Sequence, residues 1–229
     1  MIAPGHYAWL AHEEGEPVAQ GRPWCHIPQR RRGHQHASTE CRLITASLKF
    51  QHSSLIEAHP NPAHEALARL EAALPGRGGK LTLVTQNIDD LHERAGTQGV
   101  FHMHGELLRA RCVACQAENS WRDNLGIEDS CPSCHRTGTL RPHVVWFGET
   151  PLHMELIEDA LDRADLFVAI GTSGSVYPAA GFVAKARAQS VLTCELNLEP
   201  SDNAYLFDVR RYGPASMNVT AWVDELLQG

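Results

Sequence analysis

Four cysteines in the middle of the chain are spaced to hold a metal. Cys112 and Cys115 form one Cys-x-x-Cys pair and Cys131 and Cys134 a second, with residues 116–130 between them. Two thiolates three positions apart in a tight turn chelate one ion. Two such turns brought together complete a tetrahedral shell with Zn–S distances of ~2.3 Å. Pro132 and Ser133 suit the second turn. Four sulfur ligands leave no open coordination position, so one Zn2+ is expected in a structural rather than a catalytic role. The neighbouring His135 could compete, but the doubled pair makes it unnecessary. Cys25, Cys41 and Cys194 read as ordinary thiols. Seven cysteines, four of them in two such pairs, fit a reducing compartment better than a disulfide framework, and the cytoplasm is the expected location.

The segments around the cysteines must position that metal, and from Asn61 onward they alternate between helix and strand. Asn61 can cap a helix that starts at Pro62, with Ala63, Leu67, Leu70 and Leu74 on one face. LTLVT (81–85) follows the glycines of GRGG as a short buried strand, and VVWF (144–147) is again strand-like. Thr150 and Pro151 open a second helix, with Leu152, Leu156, Ile157, Ala160 and Leu161 facing inward. LFVAI (166–170) and VLTCEL (191–196) are further apolar strands, residues 178–188 are helical, and 219–227 close the chain as a helix. Nearly continuous apolar strands mean a parallel sheet covered on both faces. The fold class is therefore α/β, a Rossmann-like doubly wound sheet, with a four-cysteine zinc lobe inserted at about 108–143. Ligands of such sheets sit beyond the carboxyl ends of the strands, where QNID, GTS and ELN fall.

Composition removes other classes. A net charge of -7 gives no basic footprint, so neither nucleic acid nor an anionic membrane is an expected partner. The longest apolar runs are far too short to span a bilayer, and the first residues lack the basic-then-apolar order of a secretory signal.

Five segments occur in order around the cysteines: TQNIDDLHERAG (85–96), HMHGEL (102–107), RPHVVWFGE (141–149), GTSGSVYPAAG (171–181) and ELNLEP (195–200). With them the sequence resembles the sirtuins over about 60–229, most closely the bacterial CobB-like, class III branch. That resemblance implies an NAD-dependent protein lysine deacylase acting on acylated lysine side chains of proteins. It removes acetyl, and in this branch succinyl or malonyl, groups and yields nicotinamide and O-acyl-ADP-ribose. His104 matches the family's general base. An imidazole of ordinary pKa ~6.5 suits proton transfer near neutrality. By itself His104 would read as a satisfied core histidine; the HGEL context reverses that. In an extended segment His102 shares a face with His104 while Met103 points away; His102 is taken as structural. The family's cofactor contacts fall on Gln86, Asn87, Ile88 and Asp89, on Gly171, Thr172 and Ser173, on Asn197, Leu198 and Glu199, and on Ala215. Val145, Phe147, Gly148 and Glu149, with residues 174–177, match the edges between which the substrate peptide lies as an added strand.

Two family features have no counterpart. No GAGxS loop precedes the first helix, and the places of the branch's Tyr-x-x-Arg pair hold Ala46 and Lys49. Residues 1–58, rich in Arg, His and Gln, show no periodicity apart from a short candidate element at 43–50, and read as an atypical N-terminal arm ahead of a catalytic domain at 59–229. A chain so built is expected to lack the family's central first strand and to bind NAD weakly. The alternative reading is therefore a catalytically impaired remnant or a zinc-stabilised binding module. The oligomeric state is not legible.

Overall fold

The structure, a computed structural model, describes residues 6–11 as backbone, together with 55 and 57–228. In chain order run β1 (His6–Ala11), α1 (Pro62–Ala73), β2 (Lys80–Thr85), α2 (Leu91–Arg94) and β3 (Val100–His102). β4 (Gly105–Cys112), β5 (Glu118–Ser120) and β6 (Leu140–Val144) follow, then α3 (Met154–Asp162) and β7 (Leu166–Ile170). The last elements are α4 (Phe182–Ala188), β8 (Leu192–Asn197), β9 (Val209–Tyr212) and α5 (Ala215–Gln228). The main sheet has the order β3-β2-β1-β7-β8-β9 with every neighbouring pair parallel. β4, with β5 and β6 antiparallel on its two sides, makes a separate small sheet.

Both faces of the main sheet are covered, as the apolar strands require. Along β7, Leu166, Val168 and Ile170 join α1 and α5 through Leu67, Leu70, Val219 and Trp222, while Phe167 and Ala169 join α3 and α4 through Ile157, Leu161, Phe182 and Val183. Alternate strand residues point to opposite faces, so a strand packed on both sides must be apolar throughout. α1 starts where expected. The Asn61 carboxamide oxygen accepts from the amides of Ala63 and His64 at 2.8 and 3.3 Å, and His64 Nδ1 accepts from the Asn61 amide at 3.1 Å. Among the described residues no helix is long and apolar enough to cross a membrane.

Three expectations change. The sheet does not lack a central first strand: His6–Ala11 pairs with β2 on one side and β7 on the other. Without it those two buried strands would each present an unpaired edge, a cost the chain avoids by using its first aromatic and apolar run. VVWF is not a strand of the main sheet. β6 ends at Val144 on the small sheet, and residues beyond it turn through Gly148, whose φ is 87°. Leu156 faces solvent at 52% exposure. α3 begins after His153, and its Ile157 and Leu161, one turn apart, take the core face instead. The candidate element at 43–50, the pair Ala46 and Lys49, Cys25, Cys41 and most of the N-terminal arm lie outside the described residues.

Leu67 is fully buried between α1 and the sheet. Leu67→Ala is expected to lower unfolding free energy by about 2–5 kcal/mol, seen as a lower urea midpoint at unchanged slope. A change under about 1 kcal/mol would mean that this helix does not seal the sheet as described.

Candidate functional site

Strand order reverses at β1 and β7, and the carboxyl tips of β2, β7 and β8 meet beside that switch point. Gln86, immediately after β2 and buried, sits at the junction. Its side-chain amide donates to Thr172 Oγ1 at 3.3 Å, over the end of β1. Its main-chain carbonyl lies 3.0 Å from His104 Nδ1. Thr172, just after β7 and also buried, gives its carbonyl to the Asn197 side-chain amide at 2.8 Å. His104, Gln86, Thr172 and Asn197 thus form one hydrogen-bonded string along the sheet tips. The carbonyl contact favours the tautomer with the proton on Nδ1 and the lone pair on Nε2, the form a general base needs.

The other expected residues take definite places around that string. The Asn87 amide donates to Thr85 Oγ1 at 3.1 Å, and Asp89 accepts the Leu91 amide at 3.1 Å, which opens α2. Ile88 packs against the cluster of Leu55, Leu107 and Leu108, and its carbonyl accepts from the Leu107 amide at 2.8 Å. Gly171 turns with φ 58° and donates to the Leu196 carbonyl, and Ser173 is exposed beyond it. Leu198 and Glu199 are exposed at the β8 tip. Gly213 bonds the Asn197 carbonyl at 2.9 Å, which brings the start of α5, with Ala215, to the same edge. The residues read from sequence as cofactor contacts thus follow the carboxyl ends of β2, β7, β8 and β9, with the Ile88 side chain turned into the Leu55 cluster.

A second rim runs beside His104. The Val145 amide donates to the His104 carbonyl at 2.8 Å, so the 145–149 loop starts on the histidine. Phe147 stands 84% exposed at its apex. Glu149 closes the loop, holding Arg141 Nη1 and Nη2 at 2.6 and 2.9 Å and accepting the Trp146 amide at 3.0 Å. The Arg141 guanidinium also lies 5.0 Å over the Trp146 ring. Its hydrogen bonds hold the Glu149 carboxyl below the ordinary carboxylate range. In sequence Arg141 is one residue of RPHVVWFGE, and its spacing of eight from Glu149 carries no signal that the two close a loop. Gly105, between the histidine and β4, has φ 83°, and a Cβ there would lie 2.0 Å from the His143 carbonyl oxygen. Only glycine lets the two strands approach so closely.

The four cysteines converge as their spacing implied. Their sulfurs all lie within 4.8 Å of one another, with Cys112–Cys134 at 3.7 Å and Cys115–Cys131 at 3.8 Å. Tetrahedral zinc with ~2.3 Å bonds places sulfurs about 3.8 Å apart, so the shell fits one ion. The two turns match. Gln116 donates to the Cys112 carbonyl and His135 to the Cys131 carbonyl, each with φ near 60°. His135 is a turn residue outside the sulfur cluster. The clustered sulfurs differ in acidity. Thr139 helps lower Cys112 to about 6, whereas Cys115, despite the Ala117 amide, is pushed up to about 12 by burial and the other sulfurs. Cys194, buried in β8, is raised to about 11 by that burial and stands apart from the cluster.

Comparison with known proteins gives the family and the fold. A model of the Sir2 family matches residues 34–178. An NAD-dependent protein deacylase of Caulobacter vibrioides is 61% identical over 187 residues, 81% of this chain and 78% of that protein. A solved Sir2 homologue variant in complex with 2'-O-acetyl ADP ribose superposes with TM-score 0.74 at 29% identity, covering 82% of this chain and 75% of that one. A Sir2 protein bound to a myristoylated histone peptide superposes with TM-score 0.69 at 29% identity over 97% and 91% of the two chains.

Elemental analysis of the purified chain should find one zinc per molecule. Stripping it with a chelator, or replacing the buried Cys131 by Ala, is expected to lower the melting temperature by at least ~5 °C. An unchanged melting curve in metal-free protein would refute a structural metal.

Proposed function

Because the chain belongs to the Sir2 family, we propose that it removes acyl groups from protein lysines with NAD as co-substrate and that His104 is its general base. The observation that carries the role of His104 is the fixed Nδ1 contact with the Gln86 carbonyl at the sheet's switch point. In the reaction this family performs, the acyl oxygen of the lysine attacks the ribose carbon that bears nicotinamide, and nicotinamide departs. A ribose hydroxyl, losing its proton to a base, then adds to the activated acyl carbon. Water completes the release of free lysine and O-acyl-ADP-ribose. His104 Nε2 takes that hydroxyl proton in our reading.

The neighbouring residues receive roles from the same geometry. Gln86, Asn87, Ile88 and Asp89 would surround the nicotinamide ribose and its carboxamide, which needs partners that both donate and accept. Gly171, Thr172 and Ser173 would approach the central part of the dinucleotide, where a glycine turn allows close backbone contact. Asn197, Leu198, Glu199 and Ala215 would meet the adenosine end. The substrate peptide would lie as an added strand between the 145–149 loop and residues 174–177, with the exposed Phe147 and Tyr177 flanking it. The zinc lobe supplies no chemistry. It anchors β4, which leads directly from Gly105 beside the base to the first cysteine pair. Acetyl-lysine is the expected substrate, and succinyl- and malonyl-lysine belong in the same panel.

Incubation with NAD and acetyl- or succinyl-lysine peptides should release nicotinamide and deacylated peptide in equal amounts. His104→Ala is expected to slow deacylation by about 10²- to 10⁴-fold, the usual worth of a general base. Deacylation at the wild-type rate in that variant would overturn the mechanism. Absence of turnover in the wild-type chain would favour the reading as a zinc-stabilised binding module.

A further inference from the structure

His102 plays no part in the roles above, yet it is only 5% exposed and both its ring nitrogens face oxygen. Nε2 lies 2.7 Å from Glu93 Oε1 on α2, and Nδ1 lies 3.4 Å from the main-chain carbonyl of Asn87. Two residues on, His104 Nδ1 holds the carbonyl of Gln86 at 3.0 Å. The two imidazoles of HMH therefore grip two successive carbonyls of the single loop that runs from β2 into α2, while Met103 between them is buried in the core. Both neighbours of the His102 ring are acceptors. A neutral imidazole has one N–H and satisfies one of them; an imidazolium has two and satisfies both.

The surroundings favour the protonated ring. Burial alone would lower the His102 pKa, but the hydrogen bond and charge of Glu93, helped by the charge of Glu106 on β4 and the Asn87 carbonyl, outweigh it and raise the group above 6.5. Burial would likewise raise the Glu93 carboxyl. The hydrogen bond and charge of His102, its own amide and the charge of His92 instead hold it below 4.5.

We propose that His102 and Glu93 form a positioning pair that clamps the 86–89 loop against His104, so that NAD is captured best while His102 carries its proton. The inference rests on the reading of residues 86–89 as cofactor contacts and of His104 as the base. The raised histidine contributes its full stabilisation below ~6.5 and loses it as pH rises through the folded value. The depressed carboxyl contributes above ~4.5 and loses its share as pH falls through its own folded value. Between these limits the clamp is complete. Above them the remaining N–H stays with the Glu93 carboxylate at 2.7 Å, and the Asn87 carbonyl at 3.4 Å is the contact released.

The test follows NAD binding by calorimetry and the KM and kcat for NAD from pH 6 to 9 in the wild type, Glu93→Gln and His102→Gln, with NMR titration of the His102 ring. The wild-type ring should titrate above 6.5 and fall in Glu93→Gln. In Glu93→Gln the NAD KM should begin to rise at lower pH, reaching about 3- to 10-fold above wild type, the worth of one hydrogen bond, at pH values where the wild-type ring is still protonated and the variant's is not, with kcat within about twofold. His102→Gln, neutral throughout, should bind NAD weakly without that pH dependence. Variants that melt earlier yet keep the wild-type KM profile would reduce the pair to a structural contact, and a wild-type ring titrating at or below 6.5 would overturn the clamp outright. Calorimetry reads the loop without turnover, so its result stands apart from whether His104→Ala abolishes deacylation.

Discussion

A parallel sheet leaves its carboxyl tips without strand partners, so the polar groups there must find one another or bind something. This chain resolves that constraint at Gln86. Its side chain reaches Thr172 past the end of β1, its carbonyl holds His104, and Thr172 in turn receives Asn197. Three strand tips and one imidazole are fixed in a single arrangement before any ligand arrives. Preorganisation of that kind lowers the ordering cost of binding and holds a base in one tautomer. The burial of Gln86 and Thr172 makes the arrangement stiff, because breaking it would strand polar atoms away from water.

The zinc lobe serves the same end from the opposite side. β4 begins at Gly105, where its backbone touches the His143 carbonyl closely enough to exclude any side chain, and ends at Cys112 in the sulfur cluster. The short sheet of β4, β5 and β6 is too small to hold itself together by apolar burial alone. A metal that joins its two turns supplies what the missing core cannot. The 145–149 loop, closed by Arg141 and Glu149 and tied to the His104 carbonyl, is then carried on a rigid base rather than on a frayed end.

Much of this was written in the residue types. LFVAI gave its strand bounds because a doubly covered strand is apolar at every position, and Asn61-Pro62 gave the start of α1 because capping chemistry is local. The cysteines were legible for the same reason: ligand spacing within a turn needs no tertiary information. What sequence missed depends on contacts that only folding makes. HYAWLA lies in a stretch without periodicity, and its place between β2 and β7 is set by the gap those strands leave. VVWF has strand composition, but the Arg141–Glu149 closure bends it out of the sheet. Glu93 sits in LHERAG as one more charged helix residue, and only folding brings it to the ring of His102.

The central claim is that the imidazole at the sheet's switch point lies over the reacting ribose. A crystal structure of the chain with NAD and an unreactive acyl-lysine peptide analogue measures this directly. His104 Nε2 is expected within about 2.6–3.2 Å of a hydroxyl on the nicotinamide ribose, or linked to it by one water. A nucleotide seated away from the tips of β2, β7 and β8, with that ribose out of reach of His104, would contradict it.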